Sequence, residues 1–415
     1  MIIKPNHVPP ESLQMFAALK EFNKTIWLLI LATFASRFFL FMVWPFLAIM
    51  LHNKFGLNEF EIGAFLTGSA TVGVIFGFYV GYLSDIIGRR KIILVGLFLN
   101  ILAMAVIGIA ESLLVLFLGT LLQSFGRGTV ENPGKALMTD MVSDRKVKDM
   151  ALHVRYFMLN VGAATGPLLG TFVGATGQQS TFLWISGLYM VYFTAAAVIF
   201  NIEKPLKRTM QGDPLKFSTA LSVLRKDTPF LLFVFASFIG FVGYGQIESG
   251  LVQYLRQMSV PELTELYATL ILINGGTVIL FQFALLKLME NWSPFLRAMS
   301  GVIFFAGGFF GFAIAPTDPW VWIMVAMGVL SIGEAILFPT LNIITDRLAP
   351  EHLKGSYFGA SSLSSFGFVF APLFGGFLLH QFGGMALWLT MTALTLFVAV
   401  LYFSANRLKG GMLES

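Results

Sequence analysis

The sequence predicts an all-α integral membrane protein of twelve transmembrane helices in two pseudo-symmetric six-helix bundles. Three observations point there. Of 415 residues 56% are apolar and only 12% are charged, whereas a soluble domain carries roughly a quarter charged residues. Apolar runs of the length needed to cross a bilayer, about 20 residues, recur along the whole chain between short polar or Gly/Pro-bearing breaks. The second half also repeats features of the first. Pro133 and Asp140 recur as Pro339 and Asp346, and Gly166-Pro167-Leu168-Leu169-Gly170 is echoed by Ala371-Pro372-Leu373-Phe374-Gly375.

The expected spans are 26–51, 60–83, 91–109, 113–139, 151–175 and 181–200, then 229–255, 264–288, 294–315, 320–346, 354–379 and 384–405. Between the sixth and seventh, Asn201 to Asp227 is polar and carries Lys204, Lys207, Arg208, Lys216, Arg225 and Lys226. That composition fits an amphipathic or loosely ordered linker. The expected domains are therefore an N-terminal bundle over 1–200, a cytoplasmic linker over 201–228 and a C-terminal bundle over 229–415.

Cations distribute unevenly between the two sides. With a cytoplasmic N-terminus, 22 of the 27 Lys and Arg residues fall on the cytoplasmic side, Arg155 counted among them. Only Lys54 and Arg256 fall on the other side, and Arg37, Arg127 and Lys135 lie inside spans. Both termini are expected to be cytoplasmic, in a multi-pass protein of a cell membrane, the inner membrane of a bacterium. The net charge of +5 is scattered singly between apolar runs, which speaks for topology signals rather than a nucleic-acid surface. There is no cysteine, hence no disulfide or thiolate metal site. The polar stretch Met1 to Asn23 and the length of the first apolar run speak against a removable signal peptide. No Gly-rich Lys/Ser phosphate loop is present, which argues against ATP-driven transport. No cofactor, no metal and no enzymatic activity are expected.

Between spans two and three lies Gly81-Tyr82-Leu83-Ser84-Asp85-Ile86-Ile87-Gly88-Arg89-Arg90-Lys91. Gly81 permits close helix approach, Asp85 can accept from free amides at a helix N-terminus, and Gly88 permits a tight turn. The three cations then face the cytoplasm. This loop resembles the signature loop of the major facilitator superfamily. The resemblance implies a latch that holds the two bundles together while the transporter faces outward. Asp85 would meet the start of the eleventh span near Gly355 and Ser356, and Arg89 would pair with Asp140. Asp346 is the repeat counterpart of Asp140, but the loop from Lys287 to Arg297 lacks a second copy of the signature, which leaves the latch asymmetric.

In the fifth span, Gly162-Ala163-Ala164-Thr165-Gly166-Pro167-Leu168-Leu169-Gly170 places small residues where another helix can approach closely. The stretch resembles the fifth-helix motif of the superfamily's antiporters, which implies export. Thr171 stands where many members carry another glycine.

A charge near the bilayer centre costs at least about 2.5–3.5 kcal/mol, so each one is a functional candidate. These are Arg37 in span one, Arg127, Glu131 and Lys135 in span four, Glu248 in span seven and Glu334 in span ten. All six fall in spans one, four, seven and ten, which in the superfamily line the central cavity. Arg127, Glu131 and Lys135 follow at i, i+4 and share a face. Glu131 then serves either as their structural partner or as a proton site. Glu248 and Glu334 have no cation within a turn, so each is a proton-coupling candidate. Glu248, toward the outer side, is favoured over Glu334. Gln246, Asn274 and Gln282 are polar companions in the cavity or interhelical hydrogen-bonding glue. His7, His52, His153, His352 and His380 all fall at span ends or outside.

The whole resembles the proton-coupled drug and metabolite efflux branch of the superfamily, which implies a secondary transporter, working as a monomer, that exchanges a small solute for protons across the bilayer. A symporter importing a charged nutrient or peptide, a siderophore exporter and a membrane receptor or scaffold are the alternatives.

Overall fold

The computed structural model describes residues 18–57, 59–172, 179–203, 217–258, 263–316 and 320–408. The helices that form are the ones hydropathy predicts: α1 Lys24–Phe55, α2 Glu59–Ile87, α3 Arg89–Ile109, α4 Leu113–Asp140, α5 Arg145–Phe172 and α6 Thr181–Ile202. A short linker helix, Phe217–Lys226, follows. Then come α7 Thr228–Glu248, α8 Leu263–Leu288, α9 Pro294–Ile314 and α10 Val321–Leu348. The helix α11 starts at Lys354–Ser361, tightens to a 3-10 turn over Ser362–Ser365 and resumes in Phe366–Leu408. Gly383, at φ 79, divides that last stretch from α12 (384–408). Only glycine adopts such a φ at no steric cost, so the turn between the last two spans needs no loop.

Local chemistry sets most of the ends. Ser112, Ser293 and Asp227 accept from the backbone amides of Val115, Leu296 and Phe230 at the starts of α4, α9 and α7. Gly88, at φ 101, turns α2 into α3. The start of α1 is capped from a distance, because the Glu203 carboxylate accepts from the Lys24 and Thr25 amides and the Thr25 hydroxyl. Burial pushes that carboxyl up, but those hydrogen bonds and Arg90 outweigh it and hold Glu203 below its ordinary range.

Ten described segments are long and apolar enough to cross a membrane, and the longest, Glu351–Leu408, contains two spans. The helix α5 is not among them, because Arg145, Lys146, Lys148, Asp149, His153 and Arg155 all sit in its first half. Large apolar side chains such as Trp184, Leu114, Leu272 and Leu373 are mostly exposed, as a lipid-facing belt requires.

The packing repeats with a shift of six helices. In the first half α1 packs on α5, α2 on α4, and α3 on both α4 and α6. In the second half α7 packs on α11, α8 on α10, and α9 on both α10 and α12. The two halves meet where α2 lies against α11 and α5 against α8, pairs that the same shift exchanges. Each half keeps its own aromatic and aliphatic core, with Phe305, Phe309, Phe312 and Trp388 buried in the second and Ile26, Ile30, Ile93 and Leu97 in the first.

Several expectations need correction. The seventh span is not one helix: it stops at Glu248, and a separate helix, Gly250–Gln257, follows. The fifth helix begins six residues before 151, at Arg145, which puts His153, 4% exposed, two turns inside α5. The cations Lys204, Lys207, Arg208 and Lys216, and His7, lie outside the described residues.

Candidate functional site

Three polar clusters occupy the seams between these helices. The first is at the cation-rich end. Asp85, the third residue from the end of α2, accepts from the Gly355 amide at 3.0 Å and from the Ser356 amide and hydroxyl at 2.7 Å each. Its carboxylate thus fills the amide end of α11, where free N–H groups and the helix dipole favour an anion. The approach is possible because Gly81 lies directly against Gly355 and Gly359, where a methyl group would collide with backbone. Arg89 bridges Asp85 at 3.4 Å and Asp140 at 2.7 Å. A second tie joins the halves at the same end, Arg347 of α10 to Asp149 of α5 at 3.1 Å.

One expectation about this cluster changes. Neither Arg89 nor Arg90 faces outward: Arg89 is 4% exposed between its two carboxylates, and the Arg90 guanidinium donates to the carbonyls of Phe200 and Glu203 and so closes the end of α6. Asp346, whose half has no second signature loop, takes its cation from the next helix. Lys354, 1% exposed at the start of α11, reaches it at 2.7 Å.

The second cluster lies inside the first half, around Glu131. Arg37 of α1 reaches it at 3.2 Å, Arg127 one turn earlier on α4 at 3.3 Å, and Arg155 of α5 at 3.5 Å. Lys135, one turn later, feels the same carboxylate. A cavity of about 620 Å³, its mouth included, opens beside these groups and is lined by α1, α3, α4, α5 and α6. Arg155 overturns two sequence expectations. It is 7% exposed within α5 and not a loop cation, and the intramembrane charges are therefore not confined to the first, fourth, seventh and tenth spans. The predicted span 151–175 already contained it; the polar company at the start of α5 disguised it as loop.

The third cluster surrounds Glu334 on α10, 1% exposed. Asn274 of α8 donates to Oε2 at 2.6 Å, and Tyr156 of α5 and Tyr244 of α7 donate to Oε1 at 3.0 and 3.1 Å. Asn274 also reaches the Ser331 hydroxyl at 3.0 Å. Phe338 lies edge-on to Tyr244 and stacks on Phe241, which keeps the surroundings apolar. Because Tyr156 belongs to the first half, its hydrogen bond crosses between the halves. No sequence reading marked the two tyrosines; hydropathy is blind to an O–H whose value depends on what it meets.

The remaining candidates separate. Glu248 is exposed at the last turn of its helix. Gln246, fully buried, donates to the Ala371 carbonyl at 2.7 Å and ties α7 to α11, and Gln282 donates to the His153 carbonyl at 2.7 Å and ties α8 to α5. Both are interhelical ties rather than lining of the cavity beside Glu131. Gly162 and Gly166 press α5 onto the backbone of α1 at Phe34 and Phe38. Gly170 continues that helix, and the side chains from Pro167 onward lie outside the described ones.

Comparisons agree with this architecture. A chain from Bacillus subtilis (strain 168), the MFS-type transporter YqjV, is 29% identical over 365 residues, 88% of each chain. The Na(+), Li(+), K(+)/H(+) antiporter of Planococcus maritimus is 25% identical over 395 residues, 86% of this chain and 89% of that one. Among solved structures, the human organic anion transporter MFSD10 superposes with a TM-score of 0.72 at 16% identity, over 95% of this chain and 100% of that one. The transporter FucP in its outward conformation gives 0.69 at 18% identity, over 91% and 97%. At such identities the structures speak for the fold alone. The sequence profile described as Major Facilitator Superfamily matches residues 29–365, so the chain is a multi-pass membrane transporter of the Major Facilitator Superfamily.

Proposed function

We propose that this transporter is a proton-coupled exporter of a small organic solute that works by alternating access, with Glu334 as its proton-binding carboxyl. The observation that carries the reading is the cage of Glu334: buried, held by three neutral donors, and joined to the other half through Tyr156. A carboxyl so held takes up and releases a proton without breaking an ion pair, and each change alters a bond between the halves. The role thus passes from Glu248, which is exposed, to Glu334. The two bundles, 1–200 and 229–415, are the moving bodies, and Asp85 is the latch between them at the cytoplasmic end. Both termini are then cytoplasmic, and the bacterial relatives support an inner-membrane location.

The antiporter among the relatives supports exchange against protons. The excess of cations around Glu131 argues against a cation of any kind as cargo and leaves an organic solute without positive charge. The pressing of α5 onto α1 at Gly162 and Gly166 fits the export motif.

The test uses proteoliposomes under an imposed pH gradient, incubated with a cell metabolite extract and, separately, with Na⁺, Li⁺ and K⁺, with lumenal contents measured by mass spectrometry. The wild type accumulates at least one organic solute, a protonophore abolishes the gain, and Glu334→Gln shows none. Accumulation that survives the protonophore, or that Glu334→Gln retains in full, contradicts the proposal.

A further inference from the structure

We infer that the crevice inside the first bundle recognises an organic anion that brings its own hydrogen-bond donor. This rests on the reading of the chain as a small-solute transporter and specifies its cargo. Four cations, Arg37, Arg127, Lys135 and Arg155, share the single carboxylate Glu131. Glu248 is the other carboxylate that acts on Arg37, from across the bundle interface. Counting both, two positive charges remain without an anion among the described residues. Asp140, further along α4, is taken by Arg89. Uncompensated cations in a membrane interior are expensive, and a ligand's carboxylate, phosphate or sulfonate removes that cost. Guanidinium groups suit such a head because their planar forks match its oxygens.

A separate observation defines the ligand's other end. Asn100 of α3 lines the same cavity, is 2% exposed, and spends its amide N–H on the Gly96 carbonyl at 2.8 Å. Its Oδ1 is buried with no donor, and the Tyr192 hydroxyl, also of the lining, is buried without a partner. An amide oxygen accepts only, so whatever satisfies it must donate. Leu40, Val130 and Met138 give the cavity an apolar wall against which an organic body can lie. An anionic lipid headgroup presents the same chemistry as a soluble acid, and the test separates the two.

Full-length protein in phosphatidylcholine nanodiscs is titrated calorimetrically with salicylate, gluconate and glucose 6-phosphate, and with benzoate, salicylamide and tetraphenylphosphonium. The expected result is binding of at least one of the first three acids, with salicylate at least tenfold tighter than salicylamide. Arg37→Gln and Arg155→Gln each weaken acid binding at least tenfold; should Arg155→Gln fail to fold, Arg127→Gln, at a half-exposed position, takes its place. Asn100→Leu removes the advantage of salicylate over benzoate. Equal binding of salicylamide or tetraphenylphosphonium, or binding of none of the acids, overturns the inference. A loss of salicylate binding in phosphatidylglycerol nanodiscs that Arg37→Gln abolishes would make the lipid headgroup the occupant and overturn it also. Failure of the transport reading looks different: the acids bind, yet no solute moves under a pH gradient.

Discussion

Asp85 fills all of its acceptor directions with groups that belong to other segments. Two amides and a hydroxyl of α11 donate to it, and Arg89 neutralises it from the next helix. A hydrogen bond to a charged group contributes about 1.5–3 kcal/mol, so Asp85→Asn, which keeps the shape but loses the charge and one acceptor, shifts the balance away from the state closed at that end by about tenfold. Ligand affinity in the crevice stays within about threefold, because the latch lies outside it. Crosslinking between the ends of α2 and α11 checks this; an unchanged crosslinking yield rules out the latch. Asp85, Arg89 and Asp140 were legible in the sequence because a short loop fixes their spacing. Arg155 and the two tyrosines on Glu334 were not, since their meaning arises only when α5 packs between α1 and α8.

At the scale of elements, α5 connects the clusters. Arg155 points to Glu131 and the next residue, Tyr156, to Glu334, about 100° apart around one helix. Tyr156→Phe removes the bond between the halves and leaves the ring in place. The expected outcome is unchanged salicylate affinity with proton-driven transport reduced at least tenfold, measured in the same vesicles; equal transport means that this bond carries no coupling. The clasp of α1 onto α6 is an independent element. Glu203 has a folded pKa below its unfolded value of about 4.3, so its contribution is present above that pH and is lost as pH falls through the lower, folded value. Glu203→Ala, which removes the cap of α1, costs about 1 kcal/mol at neutral pH. In acid that difference disappears, as thermal melts across pH report; a difference that grows in acid contradicts the assignment. Helix number was readable from apolar runs, but not the break after Glu248 or the 3-10 turn over Ser362–Ser365. Both lie in short polar stretches, Glu248-Ser249-Gly250 and Ser361-Ser362-Leu363-Ser364-Ser365, inside longer apolar runs, where averaged hydropathy does not register a change of winding.

The whole molecule follows from one constraint, that lipid leaves no backbone group unpaired, and from one duplication. The Pro133/Asp140 and Pro339/Asp346 repeat announced the shift of six helices that the packing obeys. The concentration of charge in the first bundle was already legible at Arg37, Arg127, Glu131 and Lys135; what the sequence could not supply was the neutral cage around one carboxyl in the second. Alternating access through Glu334 predicts that proton binding alone moves the bundles. The chain contains no cysteine, so spin labels at Ser143→Cys and His352→Cys, exposed positions in the α4–α5 and α10–α11 connections, report one distance between the bundles at the cation-rich end. Pulsed electron paramagnetic resonance on the substrate-free protein, read against pH, should show two distances whose proportions exchange as pH changes. With Glu334→Gln added, the proportions should stay fixed across the pH range in which the protein is folded. A pH-dependent exchange that persists unchanged in Glu334→Gln, or a wild type whose distance never responds to pH, would contradict the account.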